Sequence, residues 1–587
     1  MHGTETSTRP GPAETAPQVE GFVKGLFFGA IQEELVFPYP ELAPEEAETL
    51  ELVLTAFRRF AEEKIDAVAI DEAARMPREV IQGLAAMGAL GLTVPEEFGG
   101  LGLSYTSYCR FMELVASHCA STAATIGGHQ SIGLKGILLF GTEEQKRRYL
   151  PGLASGERLA AFALTEASSG SDAGSIRTTA VWDAAQGTYI LNGTKQWCTN
   201  GGICDLVVTF ARTPELGPVK KGRDLTAFIV DMHAPGVTRG KEESKMGIKG
   251  SSTTDVAFQD VKVPAENVLG PKGEGLKLAL TILNTGRLSL GAGCVGAAKR
   301  MLAGAVEHAQ ARQQFGTYLK DFELIQEKLA DMAVTTYAME SVAYLTAGLA
   351  DRGITDFAVE SAISKTFCSE GLWKVVNHAV QVNGGNGFIK EYPYERFLRD
   401  CRINMIFEGT NEIMRLFIAG TGLRAPARFL REIAASVKRG SLGALASYAR
   451  RRVTRAVSKD RFELVPEALK AEAEVVEEGV RQLSSATERA IMQHREELMR
   501  REFILARLTD AAIDLYVMTA CLSHTAKIID KRGVEGAARE IDLSRLFCAE
   551  AGRRVRRQWK ALESNLDDVV RRVSDRACAD GGYKVGG

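Results

Sequence analysis

Leu206-Val-Val-Thr-Phe210 and Leu225-Thr-Ala-Phe-Ile-Val230 are short runs of β-branched and aromatic residues, the composition of strands. Tyr189-Ile-Leu191, Asp255-Val-Ala-Phe258 and Val261-Lys-Val263 are of the same kind, and turn formers such as Asn192-Gly193 read as the turns between them. Together they define a compact antiparallel β domain over about 158–272. The texture on either side is helical. Upstream, from Glu45 to Ser155, apolar residues recur at three- and four-residue spacing, as in Leu50, Leu54, Phe57 and Phe60, with a break at Glu96-Glu-Phe-Gly-Gly-Leu-Gly102. Downstream, helical periodicity holds from Gly275 to about Gly420 and again from Glu463 to Leu566, as in Ile504 to Tyr516.

The expected fold is therefore α+β. A disordered N-terminus at 1–20 precedes an N-terminal helical domain at 21–157 and the β domain at 158–272. A second helical bundle follows at 273–423, then a basic segment at 424–462 and an extra C-terminal helical domain at 463–587. An apolar segment from Phe22 leads to the rigid Phe37-Pro-Tyr-Pro40 and reads as an arm that packs onto another surface and stops at the prolines.

A chain of 587 residues is too long for one core. Its 45% hydrophobic and 25% charged residues are ordinary for a soluble globular protein, and a net charge of −2 gives no argument for nucleic acid. No long uninterrupted apolar run suits a membrane span. The ten cysteines are scattered, without zinc spacing, so they suit a reducing compartment and no metal is expected. The first residues have neither a secretory h-region nor the basic character of a mitochondrial presequence. From Arg424 to Arg461, nine Arg and two Lys stand against Glu432 and Asp460. This reads either as a solvated face or as a foot for an anionic membrane, with Gly440 and Gly443 suggesting disorder in solution.

Three stretches carry candidate chemistry. Phe162-Ala-Leu-Thr-Glu-Ala-Ser-Ser-Gly-Ser-Asp172 is a strand start running into a loop dense in hydroxyls and glycine, able to present N–H and OH groups to a ring or phosphate. Gln196-Trp-Cys-Thr-Asn-Gly-Gly202 puts an aromatic and a hydroxyl two apart, so a flat cofactor could stack on Trp197 while Thr199 donates to a ring nitrogen. A Ser-rich turn and a core Trp are the plainer readings. In Asp400-Cys-Arg-Ile-Asn-Met-Ile-Phe-Glu-Gly-Thr-Asn-Glu-Ile-Met-Arg415, Glu408 stands at a break between helical segments. It is either a surface residue in a turn or a base whose pKa burial raises, with Gly409 allowing close ligand approach. Gly291-Ala-Gly-Cys-Val-Gly296 matches G-x-G-x-x-G but follows a helical stretch and lacks the distant acid. Small residues on a closely packed helix explain it better than nicotinamide binding.

In order, Leu164-Thr-Glu166 with Gly170-Ser-Asp172, Trp197-Cys-Thr199, Ala311-Arg-Gln-Gln-Phe-Gly316, Gln381-Val-Asn-Gly-Gly-Asn-Gly-Phe388 and Phe407-Glu-Gly-Thr-Asn-Glu412 resemble the acyl-CoA dehydrogenase flavoprotein family. Val36-Phe-Pro-Tyr-Pro40, the stretch His129 to Gly141, Lys245-Met-Gly-Ile-Lys249 and Ala512-Ile-Asp-Leu-Tyr516 add to the likeness. It spans about residues 20–570, including the C-terminal extension of members acting on long and very long chains.

The resemblance implies FAD, with Phe162, Leu164, Thr165, Gly170, Ser171, Trp197 and Thr199 lining the flavin. Arg312, Phe315, Gln381, Gly384 and Gly385 would reach the FAD of a neighbouring subunit, implying a homodimer. Thr410 and Glu412 would complete the site, and Ser171, Asn284, Arg287 and Gly409 would face the thioester. It implies oxidation of a fatty acyl-CoA to the trans-2-enoyl-CoA, the first step of fatty acid β-oxidation. Glu408 would take the α proton as a hydride leaves for flavin N5, and the backbone N–H of Glu408 would polarise the thioester carbonyl. Some members carry the base immediately before the Arg of Asn284-Thr-Gly-Arg287, and here that position is Gly286. Glu323 stands where many members have a flavin-contacting Gln, so that contact is not carried over.

Electrons would pass to electron-transfer flavoprotein. The enzyme would be cytoplasmic and peripheral to a membrane in a bacterium, or on the matrix side of the inner membrane in a eukaryote. Small residues at Ala116, Ser117, Ala120, Ser121, Gly127 and Gly128 suit either a deep acyl pocket or close helix packing. The alternatives are a respiratory complex I assembly-type factor on the same scaffold and an acyl-CoA oxidase.

Overall fold

The computed structural model describes residues 21–217, 222–440, 443, 446 and 461–584. The expected disordered N-terminus, and most of the basic segment beyond Gly440, lie outside the described residues. The chain divides into two compact units, one of residues 39–414 and one joining the segment up to Pro38 with residues 415 onward.

The larger unit follows the helix, sheet, helix order. Pro44–Lys64 begins with proline at its first turn, where the missing N–H costs nothing. Ser104 caps Tyr105–His118, and Thr142 with Gln145 forms a reciprocal capping box on Glu143–Ala154. Between them Gly127–Gly133 is a π-helical turn, a geometry common at functional sites.

The sheet contains β1 (Ala160–Ala163), β2 (Thr179–Asp183), β3 (Thr188–Thr199), β4 (Leu206–Arg212), β5 (Leu225–Asp231), β6 (Val237–Arg239), β7 (Thr253–Pro264) and β8 (Val268–Leu269). Their order is β6-β7-β3-β2-β4-β5-β8, with β1 on β4. The pairing is antiparallel except that β1 runs parallel to β4 and β2 meets it in one parallel pair. Asn192-Gly193 is not a turn. It lies inside β3 at a register shift against β7, whose positive-φ residue Asp260 joins what the sequence presents as two runs, Asp255 to Phe258 and Val261 to Val263.

Three long helices, Gly275–Ala311, Glu323–Asp351 and Ala358–Asn383, complete this unit. Gly275–Ala311 is long and apolar enough to cross a membrane by length and composition, yet 67% of its most apolar window is buried in the protein. Its glycines permit that burial. A Cβ on Gly291 would sit 2.8 Å from Ser364 Oγ, and one on Gly296 only 1.8 Å from Glu113 O. The G-x-G-x-x-G sequence is thus helix packing.

The smaller unit is helical, built on Lys470–His494, Glu502–Gly536 and Ala538–Glu563. The N-terminal arm belongs here, not in the N-terminal helical domain where the sequence reading put it. Phe22–Phe28 is a helix whose Phe22 ring lies 5.9 Å from Tyr516, and Ser523 Oγ donates to Val36 O. The basic segment opens as an ordered amphipathic helix, Arg424–Lys438, with Phe429 edge-on to Phe28.

Candidate active site

A cavity of about 310 Å³ lies within the larger unit, lined from all three of its layers. The β domain supplies Phe162, Leu164, Thr165, Gly170, Ser171, Trp197 and Thr199, and the second bundle supplies Arg287, Glu408 and Gly409. These ten expected site residues are brought together. Trp197 stands at a bulge of β3 with φ +55 and 60% of its surface exposed, which turns a large aromatic outward at the cavity. A Cβ on Gly170 would meet nothing within 4 Å, so the hydroxyl loop is an open cradle.

A buried pair holds that loop against the sheet. Glu166 accepts from Lys195 Nζ at 2.8 Å, from Thr178 Oγ1 at 2.6 Å and N at 3.0 Å, and from Arg177 N at 2.6 Å. Burial works to raise the Glu166 carboxyl, but Lys195 and these donors outweigh it and hold it below the usual carboxylate range. Lys195→Met would strand the carboxylate. It is expected to cost about 3–5 kcal/mol, read as a lower melting temperature together with lost flavin.

Glu408 sits between the turn Arg402–Met405 and the helix beginning at Asn411, with φ +55, followed by Gly409 at φ +91. Its accessible surface faces the cavity. Oε2 has no hydrogen-bond partner among the described residues, and the N–H of Glu408 is not engaged by a described backbone acceptor. Burial pushes the carboxyl up to about 7, against the pull of Arg287 and Lys365. Arg287 donates through Nε to Glu408 O at 3.2 Å and through Nη1 to Asn284 Oδ1 at 2.9 Å. It therefore reaches the backbone of the base as well as the cavity. A Cβ on Gly286 would lie 2.8 and 2.9 Å from the two carboxylate oxygens of Glu408, so position 286 and the base share one place.

The other expected residues lie off the cavity wall. Asn284 is one turn before Arg287 and receives its guanidinium. Phe315 is 95% exposed in a small hairpin beside Arg312, while Gln381, Gly384 and Gly385 are on the surface at the end of Ala358–Asn383. Thr410 Oγ1 accepts from Ile413 N, and Glu412 occupies the first turn of that helix. Ala116, Ala120, Gly127 and Gly128 do line the cavity. Ser117 and Ser121 do not: they bond Leu114 O and Gly250 N. Sequence reasoning missed Lys365, which is buried beside Glu408. Its helix also carries Lys374, and Ser364 and Thr366 flank Lys365, so the local sequence held no signal that set it apart.

The arrangement suits proton removal by Glu408 from a ligand whose length runs along an apolar channel. A family described as acyl-CoA dehydrogenase matches through its N-terminal domain at residues 47–157, its middle domain at 161–261 and its C-terminal domain at 273–423. A fourth domain, ACAD9/ACADV C-terminal, matches residues 467–583. The chain is 43% identical over 573 residues to very long-chain specific acyl-CoA dehydrogenase, mitochondrial, of Rattus norvegicus, covering 96% of this chain and 87% of that one. Among solved structures it resembles an acyl-CoA dehydrogenase complexed with FAD from Bacillus anthracis, with TM-score 0.80, 34% identity, and 95% and 94% of the two chains covered. Butyryl-CoA dehydrogenase from Megasphaera elsdenii matches at TM-score 0.62 and 38% identity, covering 66% of this chain and 100% of that one.

Proposed function

The chain belongs to the acyl-CoA dehydrogenase family, and from that premise we propose that it converts long- or very-long-chain fatty acyl-CoA to trans-2-enoyl-CoA with Glu408 as the base. It is a flavoprotein oxidoreductase of fatty acid metabolism that uses FAD. The single observation carrying the catalytic assignment is the Glu408 carboxylate on the cavity wall, enclosed and with no hydrogen-bond partner for Oε2 among the described residues.

The residues present fit a flavin. The open loop at Gly170, the outward face of Trp197 and the Thr199 hydroxyl offer a flat, polar-edged cradle. When bound, FAD supplies the oxidant for the two electrons and hydrogen lost at the substrate β carbon. Glu408 takes the α proton. Its backbone N–H, which has no backbone acceptor among the described residues, is the proposed donor to the thioester carbonyl as negative charge develops there, with Gly409 beside it allowing close approach. An acyl chain filling the cavity excludes water and keeps the carboxylate basic.

Chain length is supported by the Gly275–Ala311 helix, which lines the cavity at Gly286, Ser289, Leu290, Gly293, Cys294 and Ala297. From Gly286 to Ala297 it rises about 16 Å, room for roughly a dozen methylenes. The facing wall is Met112, Ala116, Ala120, Ala123 and Ala124. A Cβ on Gly293 would meet Ala116 Cβ at 3.4 Å, so Gly293→Leu is expected to cross the channel. Turnover of the longest acyl-CoAs should then collapse while shorter ones persist.

The partners follow from surface chemistry. Exposed Phe315, Leu324 and Phe388 in the larger unit support contact with a second copy, a homodimer. The basic run from Arg424 to Arg461 supports docking on an anionic membrane at about 1 kcal/mol per Lys or Arg near the surface. With such docking the proposed location is the bacterial cytoplasm or the mitochondrial matrix, and electron-transfer flavoprotein is the proposed acceptor.

The test is turnover of the yellow holoenzyme across an acyl-CoA length series, with and without anionic vesicles. Maximal activity on long chains, increased by vesicles, is expected. A short-chain optimum would overturn the substrate assignment, and peroxide release in air would identify an oxidase. Co-purification with respiratory-complex intermediates and negligible turnover would favour an assembly role.

A further inference from the structure

We propose that Lys365 is a positioning residue for the base, its ammonium holding the turn from which Glu408 reaches the cavity. The inference rests on the reading of Glu408 as that base. Glu408 adopts φ +55, a left-handed conformation unfavourable for a residue with a Cβ, and Gly409 follows at φ +91. Something must over-determine such a backbone.

Lys365 is fully buried in the Ala358–Asn383 helix. A buried cation is costly unless its donors are satisfied, so where they point is informative. Nζ donates to Gly409 O at 2.7 Å and to Asn411 Oδ1 at 2.7 Å, both on the segment of the base. The Asn411 amide cannot turn away, because its Nδ2 donates to Ser369 Oγ at 3.1 Å and Glu370 Oε1 at 3.0 Å. From the opposite helix, Arg287 Nε takes Glu408 O at 3.2 Å. Two consecutive carbonyls, those of Glu408 and Gly409, are thus held by cations from two different helices. Nothing comparable holds Glu408 Oε2, which has no partner among the described residues. The side chain's position accordingly depends on the backbone beneath it.

The charge of Lys365 also acts on the carboxylate. Groups facing this pair are Arg287 and Cys294 from Gly275–Ala311, Glu370 from Lys365's own helix and Tyr108 from Tyr105–His118. Burial raises the Glu408 carboxyl, and Arg287 and Lys365 are the charges that lower it. Removing Lys365 removes one of them, so the carboxylate would form at higher pH.

The experiment follows flavin bleaching by palmitoyl-CoA in single turnovers of the holoenzyme across pH, in wild type, Lys365→Met, Lys365→Arg, Asn411→Ala and Glu408→Gln. Lys365→Met is expected to keep its FAD, bleach roughly 10- to 100-fold more slowly, and show the acidic limb of its profile moved to higher pH. Lys365→Arg, retaining the charge, should leave that limb in place. Asn411→Ala should slow bleaching without moving it. A wild-type rate and profile in Lys365→Met would overturn the inference while inactive Glu408→Gln left the base assignment standing. Full bleaching by Glu408→Gln would overturn the base assignment itself. Should Lys365→Met fail to accumulate as holoenzyme, the other two variants decide, and wild-type kinetics in both would overturn the role of Lys365.

Discussion

Glu408→Gln is expected to bind flavin and acyl-CoA but to lose bleaching by substrate, with a fall of about 10²–10⁴-fold in the reductive rate. Gln preserves the volume of the side chain, and the cavity is lined largely by other residues, so binding should survive. What it cannot do is accept a proton. Burial brings the wild-type carboxyl to about 7, which matches base strength to neutral pH, and kcat/KM should therefore rise through that region. The same shift has a stability consequence of definite sign. The folded carboxyl binds its proton more tightly than the unfolded one, whose reference value is 4.5. Its contribution is thus fully present below that value and is lost as pH rises through about 7. Glu408→Gln removes the titration. It should gain stability relative to wild type between pH 5 and 8, measured as the change in the Tm difference between those two pH values. A variant that bleaches normally would remove Glu408 from the mechanism.

That trade of stability for basicity is why the site was only partly legible in the sequence. The strands were legible because burial on both faces favours unbroken runs of β-branched and aromatic residues, and Leu206–Arg212 and Leu225–Asp231 are buried along all but their last residue. Asn192-Gly193 misled because its glycine answers a long-range need. A Cβ at Gly193 would stand 2.4 Å from Thr178 Oγ1, a contact no local rule anticipates. The arm at Phe22–Phe28 declared its apolar face, but its partner Tyr516 lies nearly five hundred residues away in sequence. At the site, Glu408 stood out through its neighbours Phe407 and Gly409 and through the family likeness. Lys365 did not, since one Lys on a helix usually faces water. Only the fold shows its ammonium enclosed against the carbonyl of Gly409. Residues that line the cavity were thus easier to find than one buried behind its wall.

Gly286→Ala should cost at least about 10²-fold in the rate of flavin bleaching, because a displacement of the base of about 1 Å is enough for that loss. The added methyl would lie 2.8 Å from Oε1 and 2.9 Å from Oε2 of Glu408 and 3.0 Å from Ile132 Cγ2. All three distances are inside ordinary contact, so something must give. Glu408 is the freer party, since its Oε2 has no hydrogen bond among the described residues while Gly286 lies within a buried helix. The carboxylate should swing away from the α carbon with the left-handed turn beneath it still held by Lys365 and Arg287. Gly291→Ala provides the control. Its methyl would meet Ser364 Oγ at the same 2.8 Å, on the same helix but off the cavity wall. General packing strain would lower the melting temperature of both variants and leave bleaching per bound flavin intact in Gly291→Ala. Displacement of the base would separate them, with only Gly286→Ala slowed at full flavin occupancy. Equal bleaching rates in the two would mean that the methyl at 286 is absorbed without moving Glu408, and the tight juxtaposition of Gly286 and the base would carry no catalytic weight.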